Sequence, residues 1–311
     1  MTENELNGRP SRHYIMSLIY ILVLVALGFI VVGPFIGFFV ALLFYRGSTE
    51  ELLVAIQSPV KHPEVKISLF IIQGFVTLVG LILTPMLILR RYQTPLREFF
   101  GLKTFEWIPF AMTAFIVIVF VGVNSWFAEW NHNIDFPDAF ERWARAREDA
   151  AAEMTKVLTT LSNSGELLIA ILVIAILPAI GEEIVFRGLI QNELLRGTHN
   201  LHVSIWVAAV LFSAIHFQFY GFVPRLLLGA LFGYLYYWSG NLWLAIFAHF
   251  VNNAASVVAM YYYQHGAFDF DLESPESLPL PAVLTSAALT IGLLYYFYKY
   301  FEGRKQPIPQ L

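Results

Sequence analysis

The chain has 311 residues, 58% of them hydrophobic and 14% charged, with a formal net charge of −4. An ordinary soluble domain carries about 25% charged residues, so this is a membrane composition. With no cysteine, the chain has no disulfide, no thiolate nucleophile and no cysteine-ligated metal cluster, and its scattered Lys and Arg residues offer no concentrated patch for nucleic acid.

Arg9 and Arg12 stand before a charge-poor apolar run over 14–45. That flank is like the n-region of a secretory signal, but the run is too long for a cleavable segment and predicts a retained first helix. Gly33-Pro34 should kink or break it, because proline removes a helical hydrogen bond. Polar connectors at 46–66 and 91–106, with Pro63 and Pro95, flank a second span over 67–89, and a third span covers 107–128.

In the long stretch 130–166, Phe140, Trp143, Ala144, Ala151, Met154, Leu158 and Leu161 recur at helical spacing between charges. This predicts an amphipathic helix over 137–161, packed on the protein or lying in the membrane interface, with gating of a site as the minority alternative. A span over 167–195 follows with charges in its middle, then spans at 201–219, 222–238, 242–264 and 280–298. Trp238-Ser239-Gly240-Asn241 reads as a tight turn, and Asp269 to Glu276 as an acidic extramembrane loop.

The fold class expected is all-α and polytopic, with about eight transmembrane helices in a single membrane-embedded domain, 1–311. Basic residues near span ends favour both termini in the cytoplasm of a cell-membrane protein by a narrow margin. Arg9, Arg12, Arg90, Arg91, Arg97, Lys103, Arg196, Lys299, Arg304 and Lys305 then lie inside. Arg46, Lys61, Lys66, Arg142, Arg145, Arg147, Lys156 and Arg225 lie on the other side.

An ionisable residue within a span costs about 2.5–3.5 kcal/mol on insertion scales and so points to function. The aspartates Asp135, Asp138, Asp149, Asp269 and Asp271 all avoid the spans, which argues against a paired-aspartate protease. Glu182 and Glu183 do not; they lie in Pro178-Ala179-Ile180-Gly181-Glu182-Glu183-Ile184-Val185-Phe186-Arg187-Gly188. Adjacent helical residues point about 100° apart, so the two carboxylates should have separate tasks. Arg187 is four residues after Glu183, the spacing of a helical ion pair, which leaves Glu182 for something else. A buried ion network that only pins helices together is the structural alternative.

Phe212-x-x-x-His216 and His249-x-x-x-Asn253 place further polar groups in later spans. The histidines His13, His62, His132, His199, His202 and His265 fall at or outside span ends and need no special role. A buried glutamate is a competent general base for water, a histidine can share its proton, and a histidine with an asparagine can donate to an oxyanion. Together these groups suit water-mediated amide hydrolysis within the membrane.

The three motifs resemble those of the CPBP family, which comprises type II CAAX prenyl endopeptidases, bacteriocin-processing or immunity proteins and related ABI proteins. The resemblance covers about 178–253, the segment of the catalytic core motifs. It implies an eight-helix intramembrane protease acting on a peptide or membrane protein, with Glu182 and His216 activating water and His249 with Asn253 forming the oxyanion hole. Glu183, Arg187 and Phe212 would support the site.

No cofactor is expected, although Glu182, His216 and His249 would also make a His₂Glu zinc set; the H-E-x-x-H signature is absent. Ser213 and Ser256 lack a nucleophile elbow or a lysine partner. A non-enzymatic scaffold or immunity-type protein remains open, as does a proton-coupled transporter, though no repeated halves are visible.

Overall fold

A computed structural model describes residues 13–91, 95–101, 106–267 and 276–303. Arg9, Arg12, Lys103, Arg304, Lys305 and the acidic stretch 269–275 lie outside the described residues. Ten longer helices, besides the four-residue helix Leu96–Phe99, organise the described residues: α1 Tyr14–Leu42, α2 Thr49–Gln57, α3 Pro63–Arg91, α4 Trp107–His132, α5 Asp138–Thr159, α6 Ser164–Thr198, α7 Leu201–Ala214, α8 Phe222–Ser239, α9 Leu242–Gln264 and α10 Leu280–Glu302. Among the described residues, seven helices are long and apolar enough to cross a membrane: α1, α3, α4, α6, α8 with the turn before it, α9 and α10. The chain is an all-α polytopic membrane protein.

The expected eighth span, 201–219, is corrected to the 14-residue α7. At 1.5 Å per residue it is about 21 Å long, short of a bilayer core of about 30 Å. It stops because Phe217 adopts a left-handed conformation, φ 52°. Few side chains other than glycine or asparagine accept that geometry. The hydroxyl of Ser213 donates to Phe222 O at 2.7 Å, tying the end of α7 to the start of α8. His216 therefore sits in a turn, one step beyond the helix that was expected to carry it.

Gly33-Pro34 does not break α1. A π-helical segment, Gly28–Val32, precedes the proline, and its wider turn accommodates the missing N–H. A matching π segment in α3, Leu78–Leu83, crosses it closely. A methyl on Gly80 would lie 2.5 Å from Phe29 Cα, and one on Gly28 would lie 2.5 Å from Thr84 Oγ1. Close approach through small residues is how membrane helices gain dispersion contacts that lipid cannot match. Gly80→Ala should lower stability by about 1–3 kcal/mol, since the clash is with backbone that has no rotamer to retreat into. A thermal melt in detergent that matches wild type would remove this reading of the crossing.

Helix α6 is central, with half of its most apolar stretch buried inside the protein, against 17% for α10. Its neighbours supply a core that includes Phe99, Ile184, Leu189, Leu235, Tyr236 and Leu242. Large apolar side chains of α1 and α10, such as Ile30, Phe35, Leu284 and Ile291, point outward where lipid would cover them.

The amphipathic segment is helical as α5, and it packs on the protein at both ends. Phe140 and Trp143 lie 5.0 and 5.3 Å from the ring of Phe219, and the Arg145 guanidinium stacks 4.0 Å above Tyr220. At the far end Leu158 and Leu161 enter a second core cluster, while Gln264 from α9 accepts from Leu161 N–H and donates to Thr159 O. Lys66 bonds Thr160 O and pairs with Glu166, fastening the α5–α6 connection to α3.

Candidate active site

The α6 glutamates make the first part of the site. Arg187 Nη1 donates to Glu183 Oε1 at 2.7 Å, with both side chains fully buried, and Nη2 donates to Gly229 O of α8 at 2.7 Å. The expected helical pair thus exists, and it also staples α6 to α8. The guanidinium carbon sits 4.7 Å from the Phe212 ring centroid and 5.5 Å from that of Phe232, so two aromatic faces complete its surroundings.

His249 joins the same carboxylate. Its Nδ1 lies 2.8 Å from Glu183 Oε1, and its Nε2 lies 3.9 Å from Glu182 Oε2. The two glutamates point apart along α6, as helical geometry requires, yet both reach one imidazole from different sides. Since Glu183 Oε1 already accepts from Arg187, it acts as a carboxylate acceptor and Nδ1 of His249 is the donor. That leaves Nε2 facing Glu182. The ring is stacked on Phe232 at 5.3 Å and meets Phe212 edge-on at 5.9 Å, which fixes its plane.

The depth of His249 follows from a segment that looked like a plain connector. At 1.5 Å per residue, Glu182 is about 24 Å from the end of α6 but His249 only about 10 Å from the start of α9. Their contact requires α9 to begin deeper in the fold. Residues 95–101 fill the space below it: Phe99 is fully buried, Phe100 stacks on Trp243 at 5.5 Å, and Gly101, with φ 61°, passes against Gly240. Only the apolar Leu96, Phe99 and Phe100 marked this part of 91–106 in the sequence.

His216 donates from Nδ1 to Phe212 O, 2.9 Å away, with the two rings 5.5 Å apart. The four-residue relation of Phe212 and His216 therefore survives beyond the helix end, and Nε2 is left toward the site. Asn253 is anchored through its own amide, whose Nδ2 donates to Ile174 O at 3.1 Å while its Oδ1 accepts from Asn252 at 3.1 Å. Pro178 has no N–H to offer the carbonyl four residues back, which is that of Ile174. Asn253 occupies that position, within a π-helical stretch, Ile171–Ile176. One N–H of the Asn253 amide remains for another acceptor.

Glu182, Phe212, His216, His249 and Asn253 all line one cavity of about 290 Å³, together with Gly221, Pro224, Arg225, Leu228, Phe232 and Asn252. Glu183 and Arg187 lie behind its wall. Oxygen Oε2 of Glu182 is buried without a hydrogen-bond partner, and so is Oε2 of Glu183. Sequence reasoning missed Phe232, which looked like any other aromatic of an apolar helix, Asn252, and Arg225, which had been counted only toward orientation. Among the described residues no three His, Asp or Glu side chains converge at metal-ligand spacing.

Comparison with known proteins bears on this same stretch. Residues 164–255 match the family described as type II CAAX prenyl endopeptidase Rce1-like. The uncharacterized protein YpbD of Bacillus subtilis (strain 168) is 32% identical over 88 residues, which is 27% of this chain and 42% of YpbD. The chain thus matches well under half the length of that curated relative. No solved structure matches significantly. The matched residues hold all three motifs and every side chain that they bring to the cavity, so the similarity to the Rce1-like, type II CAAX prenyl endopeptidase family falls on the segment that builds the site.

Proposed function

We propose that the protein is an intramembrane endopeptidase, resembling CAAX proteases, that hydrolyses a peptide bond with activated water. The observation that carries this is the buried Glu182 carboxylate, whose Oε2 has no hydrogen bond, in a cavity beside two imidazoles and an amide. Glu182 and His216 act on the attacking water, Glu182 as general base and His216 through its free Nε2. The carbonyl oxygen of the substrate develops charge beside His249 and Asn253. Asn253 supplies its remaining N–H, and His249, oriented by Glu183 at its Nδ1, presents its Nε2 edge to the same oxygen. Glu183, Arg187 and Phe212 hold the imidazole in place.

The substrate is a peptide or membrane protein reached from the bilayer, and the chain acts as one unit embedded in the cell membrane. The test is a comparison of membrane proteomes from cells carrying wild type or Glu182→Ala, with precursors expected to accumulate in the variant. The purified protein in lipid should cut those precursors, and equal cutting by the variant sinks the proposal. The reaction proceeds without a metal ion in this reading. Treatment of active protein with a strong chelator should leave activity within about twofold, whereas a Glu182–His216–His249 zinc enzyme would lose its Lewis acid and its activity with it. Stoichiometric zinc lost together with activity decides for the metal.

A further inference from the structure

Arg225 lines the cavity, and among the described residues no carboxylate is hydrogen-bonded to it. It lies in the first turn of α8, where the helix dipole favours negative charge, and within a membrane span, where a cation is costly. Its hydrogen bonds go to neutral oxygens of one residue: Nη2 donates to Gln218 Oε1 at 3.0 Å and Nη1 to Gln218 O at 3.5 Å. Glu148 and Glu182 act on it only through space, and Gln218 stands between it and Glu148, donating to Glu148 Oε1 at 3.3 Å. Gly221 leaves room for the guanidinium, since a methyl there would lie 2.9 Å from Nη2.

Two neutral acceptors aim the fork and leave most of its five N–H donors unclaimed. The contrast with Arg187, which has Glu183 at 2.7 Å, is the informative one. One arginine of the site is neutralised for structure, and the other is held in position with its charge available to the cavity.

We propose that Arg225 is a specificity-determining residue that binds a carboxylate of the peptide substrate. The inference rests on the peptidase reading for its ligand class. The carboxylate is either the free C-terminus of the peptide or an Asp or Glu side chain near the scissile bond, and the planar fork suits both.

A binding measurement tests it without hydrolysis. Immobilised Glu182→Gln protein is offered a pool of apolar hexapeptides in three forms: free C-terminal acid, C-terminal amide, and amide with one internal Glu, each quantified by mass spectrometry. The acid form, the Glu form or both should be retained about tenfold better than the plain amide, the usual size of a charge-assisted hydrogen bond. Which of the two is favoured identifies the source of the carboxylate. Adding Arg225→Gln should bring the ratio near one, and adding Arg225→Lys should keep part of it. Equal retention of the three forms, retention of none, or a ratio unmoved by Arg225→Gln overturns the proposal. Retention that depends on Arg225 in a protein that never cuts a peptide would instead refute the peptidase reading and leave this one standing.

Discussion

Glu182→Ala is expected to lower the rate of peptide hydrolysis by about 10²–10⁴-fold while leaving the fold intact, the range for losing a positioned general base. The side chain lines the cavity with no hydrogen bond at Oε2, so its removal breaks no buried hydrogen bond there. Thermal stability should stay within about 1 kcal/mol of wild type, as for a substitution that removes no buried partner. Glu182→Gln keeps the volume and should be nearly as inactive, because an amide accepts a proton poorly. The measurement is single-turnover cleavage of an accumulated precursor in lipid, with a melting curve on the same preparation. Residual activity above about a tenth of wild type would remove Glu182 from the role of base.

Arg187→Ala should do the reverse, destabilising the protein by about 3–5 kcal/mol, because it leaves the Glu183 carboxylate buried without its cation. Glu183 is fully buried, its Oε2 has no partner even in the intact protein, and the Gly229 carbonyl and two aromatic faces would lose their partner as well. Pairing Arg187→Met with Glu183→Gln should recover a good part of the loss, since a neutral pair demands less desolvation than one stranded charge. Denaturant titration in a fixed detergent distinguishes the two. A loss below about 1 kcal/mol for Arg187→Ala would show that the ion pair adds little to the bundle.

The site was largely legible because charge is so scarce in this chain that three short motifs stand out against it. Glu182, Phe212, His216, His249 and Asn253 meet in one cavity as their grouping suggested, and Glu183 meets Arg187 at the helical spacing. What stayed hidden depends on geometry that periodicity does not encode. The left-handed Phe217 ends α7 within a run that holds no Lys, Arg, Asp or Glu, so hydropathy alone extends it to a full span. The second role of Glu183 at His249 is a contact between α6 and α9, and no spacing within one helix announces it. Phe99 and Phe100 are two aromatics in a polar stretch, and nothing in their spacing announces that both are buried, with Phe100 against Trp243 at the start of α9. Arg225 was visible as a charge but not as a neighbour of Glu182, because the turn that brings it there is set by Asn131 of α4, which bonds Phe219 O and Val223 N.

The bond from Asn253 to the Ile174 carbonyl has a consequence for precision. Glu182 is eight residues beyond Ile174 on the same helix, about 12 Å along a rigid rod at 1.5 Å per residue. The base and the amide donor on the opposite wall are therefore both referenced to α6, one by covalent attachment and the other by a hydrogen bond at a carbonyl that proline has freed. Bundle helices in a bilayer slide and tilt against one another, and a site assembled purely from interhelical contacts would change its dimensions with them. Here one helix serves as the ruler, so the gap a peptide carbonyl must fill is graduated in residues of α6.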